Sequence, residues 1–258
     1  KPYRLHKTDK PGAGGFNQLI KHNGKVIIGH QGTLQSLDLD TGQTVDSGIE
    51  LTLGLRGATT QIVDGQTMMY TFLRTGEMLE VNLDTMEGNL RENALKPKAL
   101  LLHNVGVGND KNIYLSTYPG GPKGARFNID TETYDVFNQG QAEGIVAGDN
   151  NDLYFGIYTG AHIDKMNTED LSKTRLFNLG DKYDQDRPYI MKFYHGKLYI
   201  GTIPNYQRQG GALAIYDPET DSVKVFEKLI KNQSIVGLAY KDGKIYGSTT
   251  IHGGLGLE

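Results

Sequence analysis

The chain has 258 residues, 27 basic and 30 acidic side chains and a formal net charge of −3. This balance argues against a general affinity for nucleic acid, which needs a basic surface. The absence of cysteine excludes disulfides, thiolate zinc sites and cysteine nucleophiles. No apolar run reaches the roughly eighteen residues of a membrane-spanning helix, and the 34 glycines indicate a turn-rich fold.

In chain order, the first repeated element is a hairpin turn followed by an apolar strand. Asn-Gly and Asp-Gly pairs supply the positive φ angles that two-residue hairpin turns require. The copies recur at roughly 40–47 residues, a spacing typical of propeller blades, and they begin at Asn23, Asp64, Asp110, Asn151, His195 and Asp242.

The second repeated element lies between these copies and is an alternating strand that ends in an acidic turn. An Asp at the end of a strand can accept hydrogen bonds from backbone N–H groups downstream and so fix the turn. The copies are 37–42, 81–85, 127–132, 163–168 and 214–219. Two hairpins in each period give four short strands, the content of one blade.

The fold is therefore predicted to be all-β: a β-propeller of four-stranded antiparallel blades, with about five full repeats plus a partial one, forming a single domain over residues 1–258. A sandwich or an open solenoid is the alternative. The blades are predicted at 15–53, 54–98, 99–141, 142–187 and 188–232, with a sixth from Gln233.

Three features bear on the ends of this arrangement. The start at Lys1 is interpreted as the product of processing or trimming, and residues 257–258 as the remnant of a cloning tag. Residues 3–6 would supply an outer strand to the last blade if the ring is complete. The first strand of each blade should line the central channel, and residues 190–193 and 235–238 are the candidates in the last two blades.

Candidate binding residues come from one face of such a fold. The loops between the second and third strands (b–c loops) and the connections between blades (d–a connections) lie on this face, and binding residues are concentrated in such loops. Guanidinium groups suit carboxylates or sulfates, and tyrosine rings offer flat apolar faces to sugars. A carbohydrate or small anionic ligand is therefore predicted to contact Arg56, Arg74, Tyr118, Tyr158, Arg187, Tyr206 and Arg208. The alternative is that these loops are mostly structural.

Two further functions stay open. A polysaccharide lyase acting on uronate-containing glycans would need a base and a group that neutralises a carboxylate, for which Tyr206, Arg208 and His252 are the candidates. A protein-interaction scaffold would need no pocket. Asp184 and Asp186 are weaker candidates for glycoside hydrolysis. No metal site or cofactor is predicted, since the histidines that could share a divalent ion lack motif spacing: His30, His103, His162 and His252.

Three segments carry a resemblance to known repeats: 196–202 (GKLYIGT), 211–220 (GALAIYDPET) and 234–247 (SIVGLAYKDGKIYG). They resemble the blades of bacterial WD40-like, YVTN and quinoprotein-type propellers, which some secreted polysaccharide-processing proteins share. The resemblance implies a secreted or cell-surface bacterial protein. The chain has no tryptophan, so it lacks both the Trp-Asp dipeptide and the tryptophan signature of quinoprotein blades, and no quinone cofactor is expected.

Overall fold

The computed structural model of the protein describes residues 20–30, 32–51, 57–72, 77–92, 101–118 and 123–251. Within these ranges the chain is nearly all β-strand, with one short helix, α1 (Gly180–Tyr183). The strands form five four-stranded sheets and one two-stranded sheet, and within each sheet every strand lies beside the next one along the chain. The protein is thus a β-propeller with five full blades and a partial one, as the repeats predict.

The chain divides into two compact units, and the first comprises Lys1–Val105. Its two complete blades are built from β1 (Ile20–His22), β2 (Lys25–His30), β3 (Thr33–Asp38), β4 (Thr44–Glu50), β5 (Thr59–Val63), β6 (Gln66–Phe72), β7 (Met78–Asn82) and β8 (Glu87–Arg91). Ile27, Leu34, Met69 and Val81, from four of these strands, are members of one buried cluster.

The second unit comprises Gly106–Glu258, and the boundary falls within β9 (Leu101–Val107), the first strand of the third blade. The remaining strands of that blade and the next are β10 (Ile113–Tyr118), β11 (Lys123–Asn128), β12 (Thr133–Asn138), β13 (Gln141–Ala147), β14 (Asp152–Tyr158), β15 (His162–Asn167) and β16 (Lys173–Asn178). The last strands are β17 (Gln185–Tyr194), β18 (Lys197–Pro204), β19 (Ala212–Asp217), β20 (Ser222–Glu227), β21 (Ser234–Lys241) and β22 (Lys244–Thr250).

The predicted two-residue hairpins are confirmed at four of the six copies. Both turn residues have positive φ, as in Asn23 and Gly24 at 45° and 76°, the geometry of a type I′ turn. The other three pairs are Asp64-Gly65, His195-Gly196 and Asp242-Gly243. The copies near Asp110 and Asn151 instead form longer connections, 108–112 and 148–151.

The acidic turns act as caps, as expected. The Oδ1 atom of Asp38 accepts hydrogen bonds from the backbone N–H groups of Asp40 (3.0 Å) and Thr41 (2.8 Å). These bonds, the Thr41 backbone bond first, lower the pKa of the Asp38 carboxyl. Equivalent caps are made by Asn82, Asn128, Asn167 and Asp217.

The first strands of neighbouring blades in the second unit approach each other closely. A Cβ atom placed on Gly201 would lie 2.6 Å from Ile235 Cγ2 and 2.7 Å from Ile190 Cγ2, so only glycine fits there without displacing these side chains. Residues 190–193 lie in β17 and residues 235–238 in β21, and both strands are the first of their sheets as predicted.

Two predicted blade boundaries are displaced. The boundary at 187/188 falls inside β17, because α1 and the left-handed Asp184 (φ 54°) return the chain to the sheet already at Gln185. The boundary at 141/142 is one residue late, since β13 begins at Gln141. Arg187, predicted in a connection, is therefore a strand residue. No helix in the described ranges is long and apolar enough to cross a membrane.

Candidate functional site

A cluster of four side chains lies where the fourth and fifth blades meet, within the second unit. We call Glu143, Tyr158, Arg187 and Tyr206 the tyrosine–arginine cluster. Glu143 lies on β13, Tyr158 ends β14, Arg187 lies near the start of β17, and Tyr206 is in the b–c loop after β18. The fold of these two blades thus brings together four side chains that are distant in the sequence.

The base of the cluster is a charged pair. Arg187 Nη1 donates to Glu143 Oε1 at 2.7 Å, and the Glu143 side chain is fully buried while that of Arg187 is 18% exposed. Gln141 Nε2 also donates to Glu143 Oε1 at 2.7 Å. Burial alone would lower the pKa of Arg187, but Glu143 and the two tyrosines outweigh this effect and the pKa is raised. The guanidinium group is therefore a permanently charged, firmly positioned platform.

Two tyrosines extend from this platform toward solvent. The Arg187 guanidinium carbon lies 3.9 Å from the centre of the Tyr158 ring, a cation–π contact. The Tyr158 and Tyr206 hydroxyl oxygens are 2.7 Å apart and hydrogen-bonded. Tyr206 remains 45% exposed. The outer ring is thus held by its hydroxyl while the residue stays partly exposed.

The hydroxyl contact also governs the acidity of Tyr158. The hydrogen bond with Tyr206, followed by burial, raises the pKa of Tyr158 to about 12. A phenol that holds its proton this firmly is a poor general base near neutral pH. Tyr158 is therefore suited to hydrogen bonding and packing rather than to proton abstraction.

A second guanidinium group flanks the cluster. Arg208 Nε lies 2.9 Å from Asp184 Oδ2, and both side chains are well exposed, at 67% and 53%. The Asn205 backbone N–H donates to the Asp184 carbonyl at 2.9 Å, and the Arg208 N–H donates to the Asn205 carbonyl at 3.2 Å. Asp184 thus anchors the loop of residues 205–211 and orients the guanidinium group of Arg208. An exposed pair of this kind is weak, so Arg208 can exchange partners.

The other predicted ligand-binding residues differ in whether the structure describes them. Tyr118 ends β10 and is 41% exposed. Arg56, Arg74 and His252 lie outside the described residues. Of the lyase candidates, Tyr206 and Arg208 therefore share one loop, and the position of His252 relative to them is not described.

Among the described residues, no arrangement of side chains supports the weaker hypotheses of glycoside hydrolysis and metal binding. Asp186 is buried and accepts the Gly160 N–H at 2.9 Å, while Asp184 is paired with Arg208, so both carboxylates already have structural partners. In the part of the chain that the structure describes, no three His, Asp or Glu side chains group as a metal site. His162 lies on β15, and burial lowers its pKa; His103 is buried on β9.

Sequence reasoning missed Gln141 and Glu143. Both are buried on β13, the first strand of the fourth blade. An acidic residue in an otherwise apolar first strand, Gln-Ala-Glu-Gly-Ile-Val, was the available signal, because a buried carboxylate requires a partner.

No protein-family description matches the sequence, and no curated protein matches it. Solved structures do resemble it. One is the extracellular domain of the hybrid two-component system BT4673 from B. thetaiotaomicron, with a TM-score of 0.68, 16% identity and coverage of 94% of this chain. This chain spans 31% of that domain.

Two further propellers are similar. A structure of a nidogen/laminin complex has a TM-score of 0.60 and 14% identity, covering 84% of this chain and 82% of the other. Sqt1 of Saccharomyces cerevisiae has a TM-score of 0.65 and 10% identity, covering 90% of this chain and 68% of its own. At these identities the likeness establishes the propeller fold, and function has to be argued from the site.

Proposed function

We propose that this protein is an extracellular bacterial β-propeller that binds a carbohydrate or another small anionic ligand on its b–c loop face, at the tyrosine–arginine cluster. The observation that carries the proposal is the exposed Tyr206 ring held by the Tyr158 hydroxyl, which itself stands on the Glu143-paired Arg187. A ring fixed in this way can receive a sugar face with little loss of side-chain entropy.

The neighbouring Arg208 supplies the preference for negative charge. Its side chain is well exposed, and a guanidinium group carries five N–H donors, more than a bidentate pair with one carboxylate uses, so donors remain for a ligand carboxylate or sulfate. Arg187 does not serve this role, because Glu143 already neutralises it. An aromatic ring beside a free guanidinium edge fits a uronate or sulfated sugar better than a neutral one.

The likeness to an extracellular bacterial domain supports the proposed location.

Calorimetric titration with oligogalacturonate and with a neutral oligosaccharide of equal length tests this function. We expect the anionic ligand to bind more tightly, and Tyr206→Ala and Arg208→Ala each to weaken it by roughly tenfold or more. Only Arg208→Ala should reduce the dependence of the binding affinity on salt concentration. Tyr134→Ala is the matched control, since Tyr134 is 41% exposed but lies on the outer strand β12.

Equal affinity of wild type and both variants would contradict the site, and absence of binding across uronate, sulfated and neutral sugars would contradict the function. In the same mixtures, the ultraviolet absorbance is measured over time at the wavelength at which unsaturated uronates absorb. If this absorbance rises with the wild-type protein and does not rise with Tyr206→Ala, the protein is a polysaccharide lyase rather than a binding protein.

A protein-interaction scaffold is the second candidate, since one similar structure is a complex of nidogen with laminin. Under that function the exposed tyrosines would contact a polypeptide, and sugar titrations would give no heat.

A further inference from the structure

The connection between the fifth and sixth blades carries an unusual exposed segment. Residues 227–232 are all exposed. At its centre Leu229 and Ile230 are 52% and 51% exposed. Lys228 and Lys231 flank them, and the exposed Glu227 precedes Lys228. Two adjacent aliphatic side chains are thus presented to water between two cations.

The segment has a defined conformation. Lys228 and Asn232 both have positive φ, at 55° and 58°, which is uncommon for residues other than glycine. The Gln233 N–H donates to the Ile230 carbonyl at 3.2 Å, and the Gln233 carbonyl accepts from the Gly211 N–H at 2.9 Å. Fixed backbone bonds therefore hold the aliphatic pair outward rather than letting it fold onto the sheet.

A third exposed aliphatic residue lies beside the segment. Ser234 and Thr250 are paired across β21 and β22, so Ile251 follows directly at the same end of the hairpin, and it is 69% exposed. The Thr249 hydroxyl donates to the Gln233 side-chain oxygen and ties the two parts together. We call Lys228, Leu229, Ile230, Lys231 and Ile251 the rim patch.

The composition of the rim patch distinguishes between possible partners. Protein interfaces are enriched in aromatic residues, Met and Arg and depleted in Lys. A projecting aliphatic tip flanked by lysines is instead the arrangement that inserts into the boundary of a bilayer, with the lysine stems buried and their charges among the head groups.

We propose that the rim patch docks the protein on an anionic lipid surface. Leu229, Ile230 and Ile251 enter the head-group boundary, while Lys228 and Lys231 pair with lipid phosphates. The patch adjoins residues 205–211 through the Gly211–Gln233 bond, so the face that carries Tyr206 would lie close to the lipid surface. The attachment is peripheral and reversible, and it does not depend on the sugar-binding proposal.

Flotation of the full chain with phosphatidylglycerol/phosphatidylcholine vesicles, against phosphatidylcholine alone, tests the docking. We expect binding to the anionic vesicles and a loss of about fivefold in partitioning for each lysine removed, so that Lys228→Gln with Lys231→Gln lowers it by about 25-fold. Leu229→Ser with Ile230→Ser should abolish it. Lys241→Gln with Lys244→Gln is the control, since it removes two exposed charges at the opposite end of the same hairpin.

The absence of tryptophan provides a second measurement. Ile230→Trp introduces a single fluorophore whose emission should shift to the blue and be quenched by brominated lipids on anionic vesicles. Val223→Trp, on the exposed outer strand β20, should not respond. All these positions are exposed, so unchanged melting temperatures verify the fold.

Three outcomes would overturn the proposal: no partitioning to anionic vesicles, partitioning equal in wild type and rim-patch variants, or a blue shift of both fluorophores. Self-association in the absence of vesicles that the Leu229→Ser/Ile230→Ser variant removes would assign the patch to a protein contact instead.

Discussion

At the scale of single residues, the Arg187–Glu143 pair shows how a buried charge organises the site above it. The Glu143 side chain is fully buried, and its Oε1 accepts both Arg187 and Gln141. Removing one member of such a pair leaves an uncompensated charge in a poorly solvated environment, which costs more than the intact pair contributes. The pair therefore sets the position of the Tyr158 ring and, through it, of Tyr206.

Arg187→Met should lower the free energy of unfolding by about 3–5 kcal/mol, since it removes the cation and leaves the Glu143 carboxylate buried. Urea denaturation followed by circular dichroism measures the loss. The double variant Arg187→Met/Glu143→Gln should recover part of it, because no buried charge then remains. A double variant as unstable as the sum of its singles would show that the two side chains do not interact.

At the scale of elements, strand packing between the last two blades depends on β21. Ile235 is 6% exposed and fills the space above Gly201, where the first strand of one blade approaches the second strand of its neighbour. Such a position cannot relax by moving one side chain, because both backbones are fixed by their own sheets.

Ile235→Ala should therefore cost about 2–5 kcal/mol through lost burial and a cavity. Ile62→Ala makes the same chemical change at a residue that is 79% exposed, and it should stay within about 0.5 kcal/mol of wild type. Equal denaturation midpoints for the two variants would contradict the packing of β21 described here.

The elements also show what the sequence could predict. Turns such as Asn23-Gly24 and caps such as Asp38 were predictable, because their geometry depends on two to four neighbouring residues. The start of β17 was not, because it depends on the short helix and left-handed Asp184 before it. The partner of Arg187 was not either, because 44 positions separate it from Glu143 and the register of two blades brings them together.

At the scale of the molecule, tyrosines are a common structural component of the second unit. Tyr114, Tyr154 and Tyr216 are buried in its core. The Tyr114 hydroxyl donates a hydrogen bond to Asp110 (2.8 Å), and the Tyr216 hydroxyl donates one to Asp221 (3.0 Å). Burial, then the hydrogen bond to Asp221, raises the pKa of Tyr216 to about 12, and the pKa values of Tyr114, Tyr154 and Tyr194 are also raised, chiefly by burial. The second unit thus combines several phenols that resist ionisation.

This arrangement predicts that the protein loses stability in alkali. A phenol ionises near pH 10 in the unfolded chain but only near 12 for Tyr158 and Tyr216 in the folded one, so between these values the unfolded state binds fewer protons. Stability is therefore complete below about pH 10 and falls as the pH rises toward 12. Urea midpoints measured from pH 8 to 11.5 should decline above 10, and Tyr216→Phe should make the decline shallower while the exposed Tyr134→Phe leaves it unchanged. A midpoint constant across this range would mean that the Tyr158 and Tyr216 phenols ionise as readily in the folded protein as in the unfolded chain.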